Sequence, residues 1–403
     1  MNHPAPQPSM PSGAAGLLWI LLLVTSVPRL GSSFYLPALP VMEADLGTGP
    51  GVMALTLTLF FAGFAIATLI AGPIVDAHGR RGVIRWGLAV FALGSLLTGM
   101  AWEPNLLLTG RILQAIGAAF IPVSARVMIR DAFDDRQVLN ILGWLGTLGS
   151  LIPMLAPTLG GFIVEYADWR ATFLIMFTVA VLTLLTTWRR VPETLSERTP
   201  LHLPDILRGY GTMLRSGSFM LVILPLTCCF AIQGIYFAAA PFIFIRHFAF
   251  TPSEFGLANL CLVIALIAGR ACAVRLAHTH SLYAIYLANS ALVLVSGALM
   301  FGLVQTGAVN AFNWLAAAML YAFGFGGMAP VGMKSVLTAW RQTGGKASAL
   351  MGTLTFGAIG LGSALIGALA DQPGDPLFTM ALLTLGLGLL TATFAAMTGK
   401  ELI

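Results

Sequence analysis

Two arginines, Arg29 and Arg111, lie inside long apolar stretches of this sequence, where no carboxylate accompanies them. The 16 acidic residues and the six histidines all fall between these stretches or near their ends. A guanidinium stays protonated in proteins, so it can hold an anion or a carbonyl oxygen but cannot carry a proton back and forth. The sequence also contains no HExxH and no GxSxG pattern. We therefore expect no enzyme, because hydrolysis in such surroundings would need a nucleophile with its base, or a set of metal ligands.

The composition excludes a soluble protein. Of the 403 residues, 58% are hydrophobic and only 9% are charged, whereas soluble proteins have about 25% charged residues. A helix that crosses the ~30 Å hydrocarbon layer of a membrane needs about 20 apolar residues, and this chain is long enough for twelve. Its net charge of +5 is too small for nucleic-acid binding. The four cysteines lie in apolar stretches without metal-ligand spacing, so we expect no metal and no cofactor.

The hydrophobic runs predict an all-α membrane protein with twelve transmembrane helices. The predicted spans are 17–40, 52–75, 83–101, 104–129, 138–164, 170–189, 219–245, 254–276, 282–304, 311–338, 347–370 and 376–398. The one long polar stretch, 190–218, is rich in Arg and Pro and divides the spans into two sets of six. We therefore predict an N-terminal six-helix bundle at 1–189, a cytoplasmic linker at 190–218, and a C-terminal six-helix bundle at 219–403.

The distribution of Lys and Arg predicts the orientation. With the N-terminus in the cytoplasm, 17 of the basic residues fall on cytoplasmic segments, whereas only Arg170 and Arg246 fall on the opposite loops. Because Lys and Arg are enriched in cytoplasmic loops, we expect a multi-pass protein with both termini in the cytoplasm.

The first motif joins predicted spans 2 and 3 and reads GPIVDAHGRR. A glycine near a helix end allows a neighbouring helix to come close, and an acid just before a helix can bind its free N–H groups. The spacing resembles the signature loop of the major facilitator superfamily, and the arrangement in two sets of six agrees with it. The resemblance implies a gating role for the residues Gly72, Asp76, Gly79, Arg80 and Arg81.

The second motif opens predicted span 4 and reads RILQAIGAA. It is similar to the fourth-helix motif of the same superfamily, with Gln114 one turn after Arg111. The resemblance implies that Arg111 takes part in proton coupling or in substrate handling. A structural Arg111 that donates to backbone carbonyls is the other interpretation.

The third motif lies in predicted span 5 and contains Pro153, Pro157, Gly160 and Gly161. Prolines interrupt the helical hydrogen bonds, and glycines give a helix a smooth face. We expect the face formed by Gly160 and Gly161 to pack against a helix of the opposite bundle. This pattern resembles the motif of exporters in the superfamily. Together with the WRATF sequence at 169–173 and the YLPALP sequence at 35–40, it resembles the bicyclomycin-resistance/CflA branch of drug and siderophore efflux proteins.

One position departs from that branch. Its members commonly have an acid two positions before the Tyr-Leu-Pro sequence, whereas this chain has Ser33 there. The residue that would carry a coupling proton is therefore not the usual acid of the first helix.

Candidate substrate-binding residues follow from the positions of polar and aromatic side chains within spans. They are Arg29, Tyr35, Arg111, Gln114, Gln233, Tyr236 and Tyr321. With a rise of ~1.5 Å per residue, Arg29 and Arg111 reach similar depths. We hypothesise that they hold negative groups of the cargo together. The other interpretation has Arg29 reaching the outer interface or bonding carbonyls near its helix end.

The resemblance predicts a monomeric secondary transporter in a bacterial inner membrane. It implies alternating access, export of a drug-like molecule or siderophore, and the proton gradient as the drive. Import of a siderophore or another organic anion is the alternative, since the acid of the first helix is missing.

Overall fold

The computed structural model describes residues 14–195, 203–340 and 344–399, without most side chains between residues 135 and 154. In these ranges the regular secondary structure is entirely helical. The α-helices, numbered in chain order, are α1 (Ala14–Ser33), α2 (Leu39–Asp45), α3 (Pro50–His78), α4 (Arg80–Gly99), α5 (Pro104–Ala132), α6 (Asp135–Tyr166), α7 (Arg170–Arg190), α8 (Leu203–Leu214), α9 (Gly217–Phe242), α10 (Pro252–Leu276), α11 (Leu282–Thr306), α12 (Ala311–Ala339), α13 (Gly344–Ala370) and α14 (Pro376–Met397).

Most of these helices are long enough to cross a bilayer. Within the described residues, eleven helical stretches combine that length with the required hydropathy. The 32-residue helix α6 occupies the place of the predicted fifth span. A polytopic helical membrane protein is therefore confirmed.

The first predicted span, 17–40, is not one continuous helix. The α-helix α1 ends at Ser33, a 3₁₀ turn covers Leu36–Ala38, and the short helix α2 begins at Leu39. Pro37 and Pro40 explain the break, because each lacks an N–H group and restricts the residue before it.

The predicted linker also contains more order than a polar sequence suggests. Residues 203–214 form the helix α8, and the Tyr210 hydroxyl donates to the Leu69 carbonyl of α3 at 3.1 Å. The side chain of Lys346, at the start of α13, lies against Gly209 of α8. This short helix thus contacts both an early and a late transmembrane helix.

Two long helix pairs connect the first six transmembrane helices with the last six: α3 packs along α13, and α6 packs along α10. The other extensive contacts join helices within the same set, such as α4 with α5 and α11 with α14. The helices α3 and α13 therefore meet at the boundary between the two sets.

Candidate functional site

A cavity of about 970 Å³ lies between the two sets of helices. Its wall includes Asp76 and Arg130 near the ends of α3 and α5, Tyr210 of α8, and Lys346 at the start of α13. These residues lie at the end of the molecule that also holds the Arg80–Arg81 turn, which we call the basic end. The cavity therefore opens at the basic end, and its volume suits a drug-sized molecule.

The inner wall of the cavity is aromatic. Phe60, Phe61 and Phe64 of α3 meet Phe356 of α13 there. The ring centroids of Phe64 and Phe356 are 4.7 Å apart in an edge-to-face arrangement, and Phe61 stacks on Phe356 at 6.3 Å. Phe230 of α9 adds a fifth ring to the wall. Such a surface binds flat apolar groups through burial and ring stacking.

The polar part of the wall carries an excess of positive charge. Arg29 of α1 and Arg126 of α5 both line the cavity, together with Arg130 and Lys346. Among the described residues of this wall, Asp76 is the single carboxylate. The Tyr210 hydroxyl, whose pKa is raised by burial, adds no negative charge at neutral pH. The cavity thus presents cationic groups beside an aromatic surface.

Arg111 does not face this cavity. Its side chain is fully buried within the first set of helices, and its guanidinium donates to the carbonyls of Thr56 at 3.2 Å and Gly31 at 3.0 Å. It also donates to the Gln114 side-chain oxygen at 2.7 Å and to the Tyr35 hydroxyl at 3.2 Å. These acceptors hold the charge inside the protein, as the structural interpretation of Arg111 requires.

Two further residues predicted to bind the cargo, Tyr35 and Gln114, contact Arg111 instead. The guanidinium carbon lies 4.3 Å from the ring centroids of both Tyr35 and Phe60. The Gln114 amide also donates to the Ser95 hydroxyl at 2.8 Å. Tyr35 and Gln114 therefore belong to a buried network that joins α1, α3, α4 and α5, and neither lines the cavity.

The hypothesis of an Arg29–Arg111 pair is therefore not supported by their positions. Their depths are similar, since Arg111 reaches the Gly31 carbonyl two residues beyond Arg29. Their directions differ, because Arg29 lines the cavity and Arg111 is enclosed. Helical rise predicts depth but not the neighbours that a side chain meets, which are set by packing.

The three candidates in the second half lie around the cavity rather than on its wall. Gln233 is half-buried one turn after Phe230. Tyr321 is buried, and its hydroxyl donates to the Cys229 carbonyl at 2.7 Å. Tyr236 is buried with no hydrogen-bond partner for its hydroxyl among the described residues.

The loop between α3 and α4 is held by an acid that the sequence analysis did not single out. Glu193 accepts from the backbone N–H groups of Arg80 at 3.0 Å and Arg81 at 3.3 Å. It therefore caps the N-terminus of α4, the role predicted for Asp76. Asp76 instead pairs with the Arg80 guanidinium at 3.5 Å. Glu193 is more than 100 residues away in sequence, so no local pattern indicates this contact.

The two glycines of the GPIVDAHGRR motif, Gly72 in α3 and Gly79 between α3 and α4, differ in their surroundings. Gly79 has φ +95, and an added Cβ would lie 2.7 Å from a Glu193 carboxylate oxygen. Gly72 has no atom within 4 Å of such a Cβ and lines the cavity. The predicted close approach of a helix at Gly72 is therefore absent in this conformation, whereas Gly79 needs its glycine for both shape and space.

The glycine pair of α6 lies at the end of the molecule opposite to the basic end, and its two members contact different partners. A Cβ on Gly161 would overlap the Pro252 carbonyl oxygen at the start of α10. A Cβ on Gly160 would overlap the Phe34 carbonyl oxygen, which belongs to the first set of helices. The prediction of packing against the opposite set is thus correct for Gly161 and wrong for Gly160, because adjacent helical residues point about 100° apart.

The prolines of the same motif are only partly described. Pro157 is buried in α6, and its carbonyl oxygen lies against Gly256 of α10. The neighbouring Thr158 hydroxyl donates to the Gly256 carbonyl at 2.9 Å. The Pro153 side chain lies outside the described residues.

Polar contacts between the two sets close this opposite end. Glu43 pairs with the Arg246 guanidinium. The Gly51 N–H donates to Asp371 at 3.1 Å. Three carboxylates contribute to this closure, since Glu165 also accepts from the Ser253 N–H at 3.1 Å. The molecule is therefore open at the basic end and closed at the other.

The comparison with known families identifies this architecture. The family model described as the Major Facilitator Superfamily matches residues 21–301. The chain belongs to the major facilitator superfamily. It accordingly has the major facilitator fold, and the family is one of membrane transporters rather than enzymes.

Individual relatives in this superfamily are moderately similar. The multidrug resistance protein MdtL of Salmonella paratyphi A (strain ATCC 9150 / SARB42) is 28% identical over 343 residues, which cover 83% of this chain and 84% of MdtL. The MFS-type transporter YdgK of Bacillus subtilis (strain 168), whose activity is uncharacterized, is 28% identical over 257 residues. The chain covers 64% of the length of YdgK and 62% of a similar transporter from Rickettsia bellii (strain RML369-C), slightly under two thirds of each.

Solved structures share the fold at low identity. A D-xylose-proton symporter superposes with a TM-score of 0.76 and 12% identity, covering 96% of this chain and 99% of that protein. A bacterial homolog to the human lysosomal transporter Spinster, in an inward-facing and unoccupied conformation, gives a TM-score of 0.74 at 14% identity, with 98% of both chains covered. These similarities establish the major facilitator fold.

Proposed function

We propose that this transporter exports a small amphipathic molecule by alternating access. The observation that carries the proposal is the cavity of about 970 Å³, aromatic on its inner wall and open at the basic end. With both termini in the cytoplasm, this opening faces the cytoplasm of a bacterial inner-membrane protein. A drug-like molecule would then enter from the inside and leave when the opposite end opens.

The position of the cavity between the two sets of helices supports alternating access. The bundles 1–189 and 219–403 would rock about the cavity as units, connected by the linker 190–218. The contacts of Gly161 with Pro252 and of Glu43 with Arg246 would break when the opposite end opens. The Asp76–Arg80 turn would hold the basic end when that end closes.

Two further observations support export of drugs. The relative MdtL is named a multidrug resistance protein, and the Pro-Gly pattern of α6 resembles that of exporters. The proposed drive is the proton gradient, with one protein molecule as the working unit. Since Ser33 replaces the usual acid, the coupling proton would be carried by a different residue.

The positive charge of the cavity wall favours a cargo with negative charge. Arg29 and Arg126 face the cavity without a carboxylate in ion-pair contact among the described residues. Arg29 is half-buried, and a partly buried charge needs a partner, which an acidic cargo would supply. The same observation favours import of an organic anion as the second candidate function.

Reconstitution into proteoliposomes tests export and its drive. Vesicles holding protein of known orientation are given a pH gradient and a fluorescent substrate of drug efflux pumps. We expect transport from the side of the basic end to the opposite side, and loss of it when the gradient is collapsed by an uncoupler. Transport with the uncoupler present would contradict proton drive, and no transport of any compound would contradict the proposal.

A gene deletion tests the direction in cells. Extracts and medium of the deletion strain are compared by mass spectrometry, with and without iron. Export predicts a compound that accumulates inside the deletion strain, whereas import predicts one that stays in the medium. Iron-dependent accumulation would identify a siderophore as the cargo.

A further inference from the structure

We infer that Arg29 and Arg126 form a two-arginine site for the carboxylate of an aromatic acid, with the ring of that acid on the adjacent phenylalanines. This inference rests on the proposed function, since it names the cargo class of the same cavity. The predicted partner of Arg29 was Arg111, which the structure encloses elsewhere. Arg126, which no sequence motif indicated as a cargo ligand, takes its place.

The two guanidiniums come from different helices and border the same cavity. Arg29 belongs to α1 and Arg126 to α5, and both line the same space. Two positive charges that border one cavity repel each other across it. Two like charges held in one cavity are stabilised by an anion placed between them.

The internal hydrogen bonds of both side chains leave capacity for a ligand. One N–H of Arg29 donates to the Thr25 carbonyl, and Nε of Arg126 donates to the Pro122 carbonyl at 3.1 Å. Each acceptor is the backbone of the same helix, four residues earlier. A guanidinium has five N–H groups in a planar fork that matches a carboxylate. Most donors of this pair therefore remain for an external anion.

The nearby carboxylate does not neutralise the pair. Asp76 also lines the cavity, but its ion-pair partner is Arg80 at 3.5 Å. Arg80 contacts a second acid, Asp131, at 3.1 Å. Both acids are thus directed to the turn between α3 and α4, and the described residues supply Arg29 and Arg126 with no ion pair.

The aromatic wall decides which anions fit. Phe60, Phe61 and Phe64 line the same cavity as the arginines. Phe356 of α13 packs against Phe61 and Phe64. A small inorganic anion would leave this apolar surface uncovered, whereas an aromatic acid covers it and reaches the guanidiniums. The class of ligand is therefore an aryl carboxylate rather than phosphate or sulfate.

The test compares two probes that differ in charge but hardly in shape: 2-naphthoate and 2-naphthamide. Binding to the purified full-length protein is measured by equilibrium dialysis, with inorganic phosphate as a third probe. We expect naphthoate to bind at least about tenfold more tightly than naphthamide, since each charge-assisted hydrogen bond is worth about that factor. Equal affinities for the two, or phosphate displacing naphthoate at similar concentrations, would overturn the inference.

Variants then locate the site. Arg29→Gln and Arg126→Gln should each lower naphthoate affinity about tenfold and leave naphthamide unchanged. Arg29→Lys, which keeps the charge but loses the fork, should fall between. Arg189→Gln, which removes an exposed positive charge outside the cavity, should bind as the wild type does. Unchanged naphthoate binding in both cavity variants would refute the two-arginine site.

The measurement separates this inference from the proposed export. Binding needs no turnover, so a protein that discriminates naphthoate from naphthamide but transports nothing would refute export alone. A protein that transports neutral or cationic dyes but binds both probes equally would refute the aryl-carboxylate site alone. Variants that bind naphthamide normally are folded, which excludes misfolding as the cause of a lost affinity.

Discussion

The two adjacent glycines of α6 should have different effects on the transport cycle when they are replaced by alanine. Gly161 lies against Pro252 and Ser253 of the opposite set of helices, whereas Gly160 lies against Phe34 of its own set. In Gly161→Ala, the new Cβ overlaps the Pro252 carbonyl oxygen, so the two sets must separate by about 1 Å to restore normal contact. The substitution therefore disfavours the conformation that is closed at this end.

The size of the effect follows from the rigidity of the contact. The Pro252 carbonyl carbon and the Ser253 Cα would lie 2.9 and 3.0 Å from the new Cβ, and both are backbone atoms that cannot rotate away. Overpacking of this kind costs about 1–3 kcal/mol. Since only one conformation bears the cost, the ratio of the two should change by about 5–150-fold. In Gly160→Ala both conformations bear the cost, because Phe34 belongs to the same set of helices as Gly160. The free energy of unfolding should therefore fall, while the ratio of the two conformations stays the same.

Cysteine labelling measures this ratio. Ser348 lines the cavity at the basic end, so Ser348→Cys reacts with a thiol reagent only while that end is open. The partly exposed Cys261 and Cys272 are first replaced by alanine. We expect Gly161→Ala to slow the labelling of purified protein by up to the factor above.

Two comparisons make this prediction refutable. Gly386→Ala, at a position where a Cβ meets nothing within 4 Å, should label at the parental rate. Gly160→Ala should also label at that rate but melt at a lower temperature. The reasoning is wrong if Gly161→Ala labels at the parental rate, or if Gly160→Ala slows labelling equally.

Three further predictions concern the buried arginine and the α3–α4 turn. Arg111→Lys, which retains the charge but loses the planar fork, should lower the free energy of unfolding by about 3–5 kcal/mol, measured as a fall in melting temperature; an unchanged melting temperature would contradict the structural role. Glu193→Gln should lower it by about 1 kcal/mol, since it weakens the cap of α4, and a loss as large as that of Arg111→Lys would not fit an exposed cap. Asp76→Asn, which removes the ion pair with Arg80, should reduce transport strongly at normal expression; wild-type flux in vesicles would contradict a gating role.

The fold could be predicted from the sequence to a large extent because membrane insertion depends on local composition. Runs of about 20 apolar residues identify helices whatever their neighbours are. Errors occurred where proline intervened, as at Pro37 and Pro40, and where amphipathic residues formed the helix α8 within a stretch that reads as a linker. The break at the prolines and the helix α8 are both local features, but neither changes the mean hydropathy of its segment enough to be recognised from the sequence.

The candidate site could be predicted less well because its members come from distant parts of the chain. Arg111 and Arg126 lie in the same helix, α5, 15 residues apart, and nothing local shows that one is enclosed and the other faces the cavity. The predicted packing of the glycine pair against the opposite set of helices was correct for Gly161 and wrong for Gly160, since one residue of rotation changes the neighbour.

The sequence by itself determined that this is a membrane protein of the major facilitator superfamily, because apolar length and the motif spacings are properties of short segments. Tertiary structure alone decided which charges are satisfied and which remain available. Arg111 finds acceptors at Thr56 and Gly31, up to 80 residues away, while within the described part of the chain Arg29 and Arg126 donate to the backbones of their own helices. A guanidinium is identical in all three places, and its role is set by how many acceptors neighbouring helices place around it, which only the packing of the helices determines.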